Sequence, residues 1–247
     1  PPVMKDEHNK LSKRNGDASF QDLVAKGYLP GAILNYIALL GWSPEEDKEI
    51  FTLDELVQAF NVKHIGKVGA IFDPDKLKWI NGMWLRGMDL DSYYDLVKPY
   101  IDQAVKGDFD GKKIAAILQQ RAETLVEIPG MLDFFDEFPA YDNALYVNKK
   151  MKTTLEVSLS SLQAAKETLE AMDETNWNQE NLHSVLLEIP KKLERKNGQV
   201  LFPLRLALTG KQFTPGGAIE IADILGKTET LRRLNLSIAQ LDKEVNA

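Results

Sequence analysis

The stretch NKKMKTTLEVSLSSLQAAKETLEAM, residues 148–172, decides the fold class. Leu155, Leu159, Leu162, Ala165, Leu169 and Met172 recur every three or four residues, which lines one face of a helix and cannot line one face of a strand. No comparably long stretch of the chain alternates apolar and polar residues with period two. Residues 70–72, Ala-Ile-Phe, make the best short strand candidate.

Working outward, helix starts are written locally. Ser19 with Asp22, and Thr52 with Glu55, have the spacing of capping boxes, and Phe51 is placed as a hydrophobic staple. Pro30 opens a helix carrying Ile33, Leu34, Ile37, Ala38 and Leu40, with Gly41 as its stop. Asp73-Pro74 opens another through Leu77, Ile80 and Leu85. Asp91 is expected to cap a helix carrying Val97 and Ile101, bent at Pro99. Asp110 is expected to cap a long helix over residues 111–128 that Pro129-Gly130 ends. Helices follow over 179–188, 200–208 and 218–225, the last continuing from about Thr228 to Leu241. The first sixteen residues lack periodicity, end in the turn signal Asn15-Gly16 and read as a mobile loop. The chain is mainly α, in three parts: 1–88, 89–145 and 146–247.

Composition bounds the function. With 247 residues, 44% of them apolar, the chain can fill real cores, and 16 Gly and 11 Pro exclude collagen-like or low-complexity classes. The longest apolar run, residues 31–42, is interrupted by Asn35 and is far short of the ~20 residues a membrane span needs. No cysteine and three scattered histidines argue against disulfides and a structural metal. The opening residues, without initiator Met or leader pattern, read as a chain cut in mid-sequence.

A net charge of −7 argues against indiscriminate nucleic-acid binding, yet charge is polarised along the chain. Residues 190–211 carry Lys191, Lys192, Arg195, Lys196, Arg205 and Lys211 against Glu194 alone. Residues 43–55 carry six acids against Lys48.

Two features bear on chemistry. The first is KLSKR at residues 10–14, where Lys10, Lys13 and Arg14 could close over a polyphosphate; composition alone favours a solvated basic loop. The second is Arg121. At about 100° per residue it falls within the stripe of Ile114, Leu118, Ala122 and Leu125, where a charge must be paired, snorkel, or reach a ligand.

The runs KLSKRNG (10–16), GYLPGAILNYIALLGW (27–42), FTLDEL (51–56), FDPDKLKWING (72–82), PLRLALTG (203–210) and LGKTETLRRL (225–234) together resemble bacterial-type glutamyl-tRNA synthetase over essentially the whole chain. The resemblance implies a helical stem-contact region followed by an all-helical anticodon-binding region in two subdomains. Residues Lys10, Leu11, Ser12, Lys13 and Arg14 match the class I "KMSKS" loop, whose second lysine, here Lys13, meets the ATP phosphates. Arg121, Arg205 and Thr214 match residues that contact anticodon bases, Arg121 at the third base. Lys191, Lys192, Arg195, Lys196 and Lys211 become tRNA-backbone candidates. Phe202 and Phe213 could stack on bases, though core positions are the ordinary reading for both.

The family's other signature, "HIGH", and its pockets for glutamate and ATP lie upstream of what this chain matches. HIGK at residues 64–67 has Lys in place of the final His, follows the lysine loop instead of preceding it, and reads as an interhelical connection. Where the family often has a bulky apolar residue, this chain has Gly217. The expectation is therefore a cytoplasmic, monomeric, tRNA(Glu)-binding portion with no cofactor or metal of its own. ATP and Mg would serve the full enzyme, and the portion alone would be inactive. A helical protein-interaction scaffold without RNA binding is the competing reading.

Overall fold

The computed structural model describes residues 3–9, 11 and 19–246. The chain forms two compact units, residues 1–100 with 119–129, and residues 101–118 with 130–247. These divisions do not coincide with the expected boundaries after 88 and 145.

In the first unit β1 (Val3–Met4) pairs in parallel with β2 (Ala70–Ile71), the one place where the sequence suggested a strand. The expected loop at the start is thus partly structured. Val3 pairs with Ala70, and the Asp6 carboxylate accepts from the His8 and Asn9 amides at 2.9 and 2.8 Å. Ser12, Lys13 and Arg14, with Lys10, lie outside the described residues; Leu11 donates its N–H to Val3 O at 3.0 Å.

The helices α1 (Phe20–Ala25), α2 (Pro30–Gly41), α3 (Leu53–Ala59), α4 (Pro74–Arg86) and α5 (Leu90–Ala104) follow, the last of them running from Ile101 into the second unit. Both capping boxes form, at Ser19/Asp22 and Thr52/Glu55, and Asp73 accepts from the first amides of α4. Phe51 and Leu56, at the staple positions of α3, share one cluster with Trp42. The cap of α5 is Asp89, which accepts from Ser92 N at 2.9 Å, and not Asp91. Leu23, Ala32, Ile33, Tyr36, Leu77 and Ile80 form the core of this unit. A side chain at Gly31 would meet the Trp84 ring at 2.4 Å, so glycine is what lets α2 and α4 approach.

The second unit holds α6 (Gly111–Gln119), α7 (Ile128–Leu132), α8 (Leu155–Glu170), α9 (Gln179–Lys192), α10 (Asn197–Thr209) and α11 (Ala218–Val245), apart from a few residues at the edges of α6 and α7. Asp110 caps α6 as expected. That helix stops at Gln119, nine residues before the expected end at 128. The long pattern at 148–172 becomes helical only from Leu155, because Asn148 and Thr153 first pair across a tight turn and Thr154 then caps.

Inside α11, Gly226 takes φ 75° and ψ 168°, breaking the helix where the sequence suggested two segments. The Ala222 carbonyl near the break accepts from Trp177 Nε1 at 2.9 Å and Thr230 Oγ1 at 3.3 Å, so it is not left unsatisfied. Among the described residues no helix is long and apolar enough to cross a membrane.

Candidate nucleic-acid interface

In the second unit the α10–α11 corner presents a polar loop on a closely packed support. Seven of the last eight residues of α10 are buried; Arg205 is the exception. A helix enclosed in this way is held by its neighbours on all sides. The guanidinium of Arg205 lies over the Phe202 ring, 5.8 Å from its centroid, and Nη2 donates to the Gln212 carbonyl at 2.7 Å. The fork therefore reaches across the loop that follows.

That loop, residues 210–217, is tied to α10 over its first three residues and braced internally between Thr214 and Gly216. Gly210 ends α10 in the left-handed region at φ 66°, where a side chain would also meet Pro139 at 2.8 Å. Lys211 donates its N–H to Thr209 Oγ1 at 3.2 Å and pairs its ammonium with Asp133. Thr214 Oγ1 donates to the Gly216 carbonyl at 2.7 Å. Gly216 is buried against Ile117 of α6, with 3.1 Å available for a Cβ. Gly217 is exposed and opens α11; a side chain there would meet only the movable Glu220 carboxylate.

Phe202 is core, as composition suggested, at 7% exposure. Phe213 is not: it stands 81% exposed on the loop. The physical reason is the loop itself. Arg205 and Thr209 tie the two preceding residues, Gln212 and Lys211, to α10, and Thr214 on the other side bonds within the loop to Gly216, which leaves the ring of Phe213 pointing outward.

Beneath the corner lies Arg233, fully buried on α11. Nη1 donates to the carbonyls of Phe134 and Leu208 at 2.7 and 2.8 Å, Nη2 to that of Phe135 at 2.8 Å, and Nε to Glu229 at 2.6 Å. Leu208 sits in the last turn of α10, where carbonyls lack an intrahelical partner. Arg233 supplies one. Sequence reasoning missed this residue; the signal was an arginine at helical spacing between Thr230, Leu234 and Ser237, all buried. Hydrogen bonds from Arg232, and then from Arg233, hold the Glu229 carboxyl down at about 2 despite its partial burial.

The basic stretch divides. Lys192 and Lys196 are exposed. Lys191 is exposed and paired with Glu188 at 2.6 Å. Arg195 turns inward, donating to Val157 O, Ser161 Oγ and Ser160 Oγ at 2.8 to 3.0 Å, so its guanidinium is spent on α8.

Arg121 belongs to the first unit and is exposed. The helical-wheel placement fails because α6 has already ended. The side chain of Gln119, the last residue of α6, donates to the Leu85 and Met88 carbonyls at 3.1 and 2.8 Å, and Glu127 accepts from Thr124 N at 2.9 Å to begin a new turn. Asn81 pins the segment from the other side, donating to Glu123 O at 2.6 Å while accepting from Leu29 N. Arg121 therefore extends from an anchored turn, without an ion pair or side-chain hydrogen bond among the described residues.

His64 lies in a short 3₁₀ turn, 3.8 Å from the Glu45 carboxylate, in a segment that joins α3 to the short strand β2 where a connection between helices was expected. No group of three or more metal-ligating side chains stands together among the described residues.

Comparison with known proteins supplies the class. Residues 92–238 match the anticodon binding domain model, and residues 2–79 match the model of the class I tRNA synthetase (E and Q) catalytic domain. The chain belongs to the anticodon binding domain family.

Its relatives narrow this further. It is similar to the glutamate–tRNA ligase of Clostridium botulinum, 55% identical over 98% of this chain and 49% of that protein. The glutamate–tRNA ligase of Clostridium tetani is 55% identical over the full chain and 50% of that protein. A crystal structure of a glutamate tRNA ligase from Elizabethkingia meningosepticum, in complex with its amino acid, superposes with a TM-score of 0.77 at 27% identity, covering 97% of this chain and 50% of that one. The chain thus spans about half the length of the curated relatives it matches.

Proposed function

We propose that this chain is the tRNA-binding portion of a glutamate–tRNA ligase, and that it recognises the anticodon of tRNA(Glu). Residues 1–88 would contact the stem, and the helical regions 89–145 and 146–247 the anticodon arm. One observation carries the reading: within the anticodon-binding family match, loop 210–217 is held rigid by Arg205 and Thr214, two of the residues expected to meet anticodon bases. RNA is read at unstacked loop bases by side chains held in place beforehand, with phosphate contacts for positioning. Arg121 is the third base-contacting residue in this proposal, and Lys191, Lys192 and Lys196 supply phosphate contacts.

In the full ligase, Lys13 and its neighbours would steady charge on the ATP phosphates while glutamate is activated, with ATP and Mg bound by that enzyme. The site of such work is cytoplasmic. This chain alone would not activate glutamate, and glutamate-dependent ATP–pyrophosphate exchange by the purified chain would contradict that.

Filter binding of tRNA(Glu) across a salt series tests the main reading. Affinity should fall steeply as salt rises, because phosphate contacts release counterions. A protein-interaction scaffold would show no saturable, salt-dependent binding.

A further inference from the structure

We propose that Phe213 is a stacking platform for one unstacked nucleobase of single-stranded RNA. This rests on the tRNA-binding reading above and assigns to it a residue and a type of contact. The ring is 81% exposed, while Phe51, Phe134, Phe135 and Phe202 are all buried. It also sits where order has been built in advance. Arg205 fixes the carbonyl of Gln212 on one side, and the hydroxyl of Thr214 fixes that of Gly216 on the other. Holding an aromatic ring outward on an immobilised loop lowers the ordering cost of a contact made there.

The electrostatic setting selects the partner. The chain is acidic overall, yet residues 195–219 contain Arg195, Lys196, Arg205 and Lys211 and no Asp or Glu. Lys211 is paired with Asp133, and the Arg205 guanidinium reaches the residue before the ring; a flat apolar ring in that setting suits a ligand that offers a π-face and carries negative charge. Nucleobases on a phosphate backbone have both, and stacking accepts any base because each has a π-face. Arg205 and Thr214, one on each flank, then provide the hydrogen-bonding selectivity that a ring cannot.

The test uses the full chain and a 17-nucleotide anticodon stem-loop of tRNA(Glu), with 2-aminopurine in the loop as a stacking reporter. Phe213→Ala should weaken binding roughly 5- to 150-fold, the usual range for loss of one base–aromatic stack. Quenching of the reporter should weaken with it. Melting temperature and salt slope should stay at wild-type values, since the ring covers no core and touches no phosphate. Phe213→Tyr should restore affinity and quenching, and Phe213→Leu should restore neither.

Wild-type affinity in Phe213→Ala, alongside weakened binding in Thr214→Val, would overturn the stacking role and leave the tRNA reading intact; a protein-contacting Phe213 gives this result. Full rescue by leucine would also overturn it. If the wild-type chain fails to bind the stem-loop at low salt, the tRNA reading fails and this inference with it.

Discussion

Arg205 Nη2 donates to the carbonyl oxygen of Gln212 at 2.7 Å, joining the last turn of α10 to the loop that follows it. One side chain therefore both shapes the loop and presents a planar, charged fork at its edge. Arg205→Ala should cost tRNA(Glu) binding about 1 to 3 kcal/mol, the worth of a good bidentate base contact. Its effect on stability should be smaller, about 1 kcal/mol for a partly exposed hydrogen bond. Binding isotherms and melting curves on the same variant separate the two; a loss of stability with unchanged affinity would make Arg205 purely structural.

Arg233→Met should destabilise the second unit by about 3 to 5 kcal/mol, because it strands three buried carbonyls and leaves the Glu229 carboxylate with Arg232 as its one remaining arginine. Calorimetric unfolding should show the domain melting roughly 6 to 20 °C lower. A shift of only a degree or two would mean that water replaces the guanidinium without cost.

Glu229 makes stability depend on acid pH. Its folded pKa is depressed from 4.5 to about 2, so the stabilisation is fully present above the unfolded value and is lost as pH falls from about 5 through 2. The full linkage is at most about 3 kcal/mol, and solvent access lowers it. Denaturant midpoints recorded from pH 6 to pH 2 should fall less steeply for Glu229→Gln than for wild type. Parallel curves would contradict the assignment.

Arg121→Gln should leave stability near wild type, since the side chain is exposed and makes no ion pair among the described residues. If Arg121 reads the third anticodon base, the variant should lose about 1 to 3 kcal/mol of preference for glutamate over glutamine tRNA. Lys192→Ala should instead weaken both tRNAs alike and reduce the salt slope by about one. The affinity ratio of the two tRNAs, measured for all three proteins, decides it. An unchanged ratio in Arg121→Gln removes the reading role.

Where information is local, the sequence was legible. The caps at Ser19, Thr52, Asp73 and Asp110 formed where their spacing indicated, since each depends on a side chain and an amide two or three residues away. The end of α6 was not legible from apolar periodicity, which runs unbroken past Gln119. It ends because Gln119 finds carbonyls more than thirty residues away and because Thr124 and Glu127 form a new capping box. The Thr-x-x-Glu spacing was present in the sequence as a local signal. Asp89 likewise had Ser92 at capping distance.

The candidate site was legible in its motif residues Arg205 and Thr214 but not in its support. Arg233 holds carbonyls 25 to 99 residues away, and no local pattern encodes which ones. Phe213 differs from the core reading for a related reason: hydrophobicity alone does not say that the preceding residues are tied to α10 and that the ring is left 81% exposed on the loop.

If this chain reads an anticodon, two tRNA(Glu) transcripts that differ only in the three anticodon bases must bind it differently. Substituting all three should weaken binding by at least tenfold, since each lost base contact costs about 1 to 3 kcal/mol. Arg205→Ala should reduce that difference by about 1 to 3 kcal/mol, the share of one base contact. Equal affinity of the wild-type chain for both transcripts at moderate salt would contradict the anticodon reading.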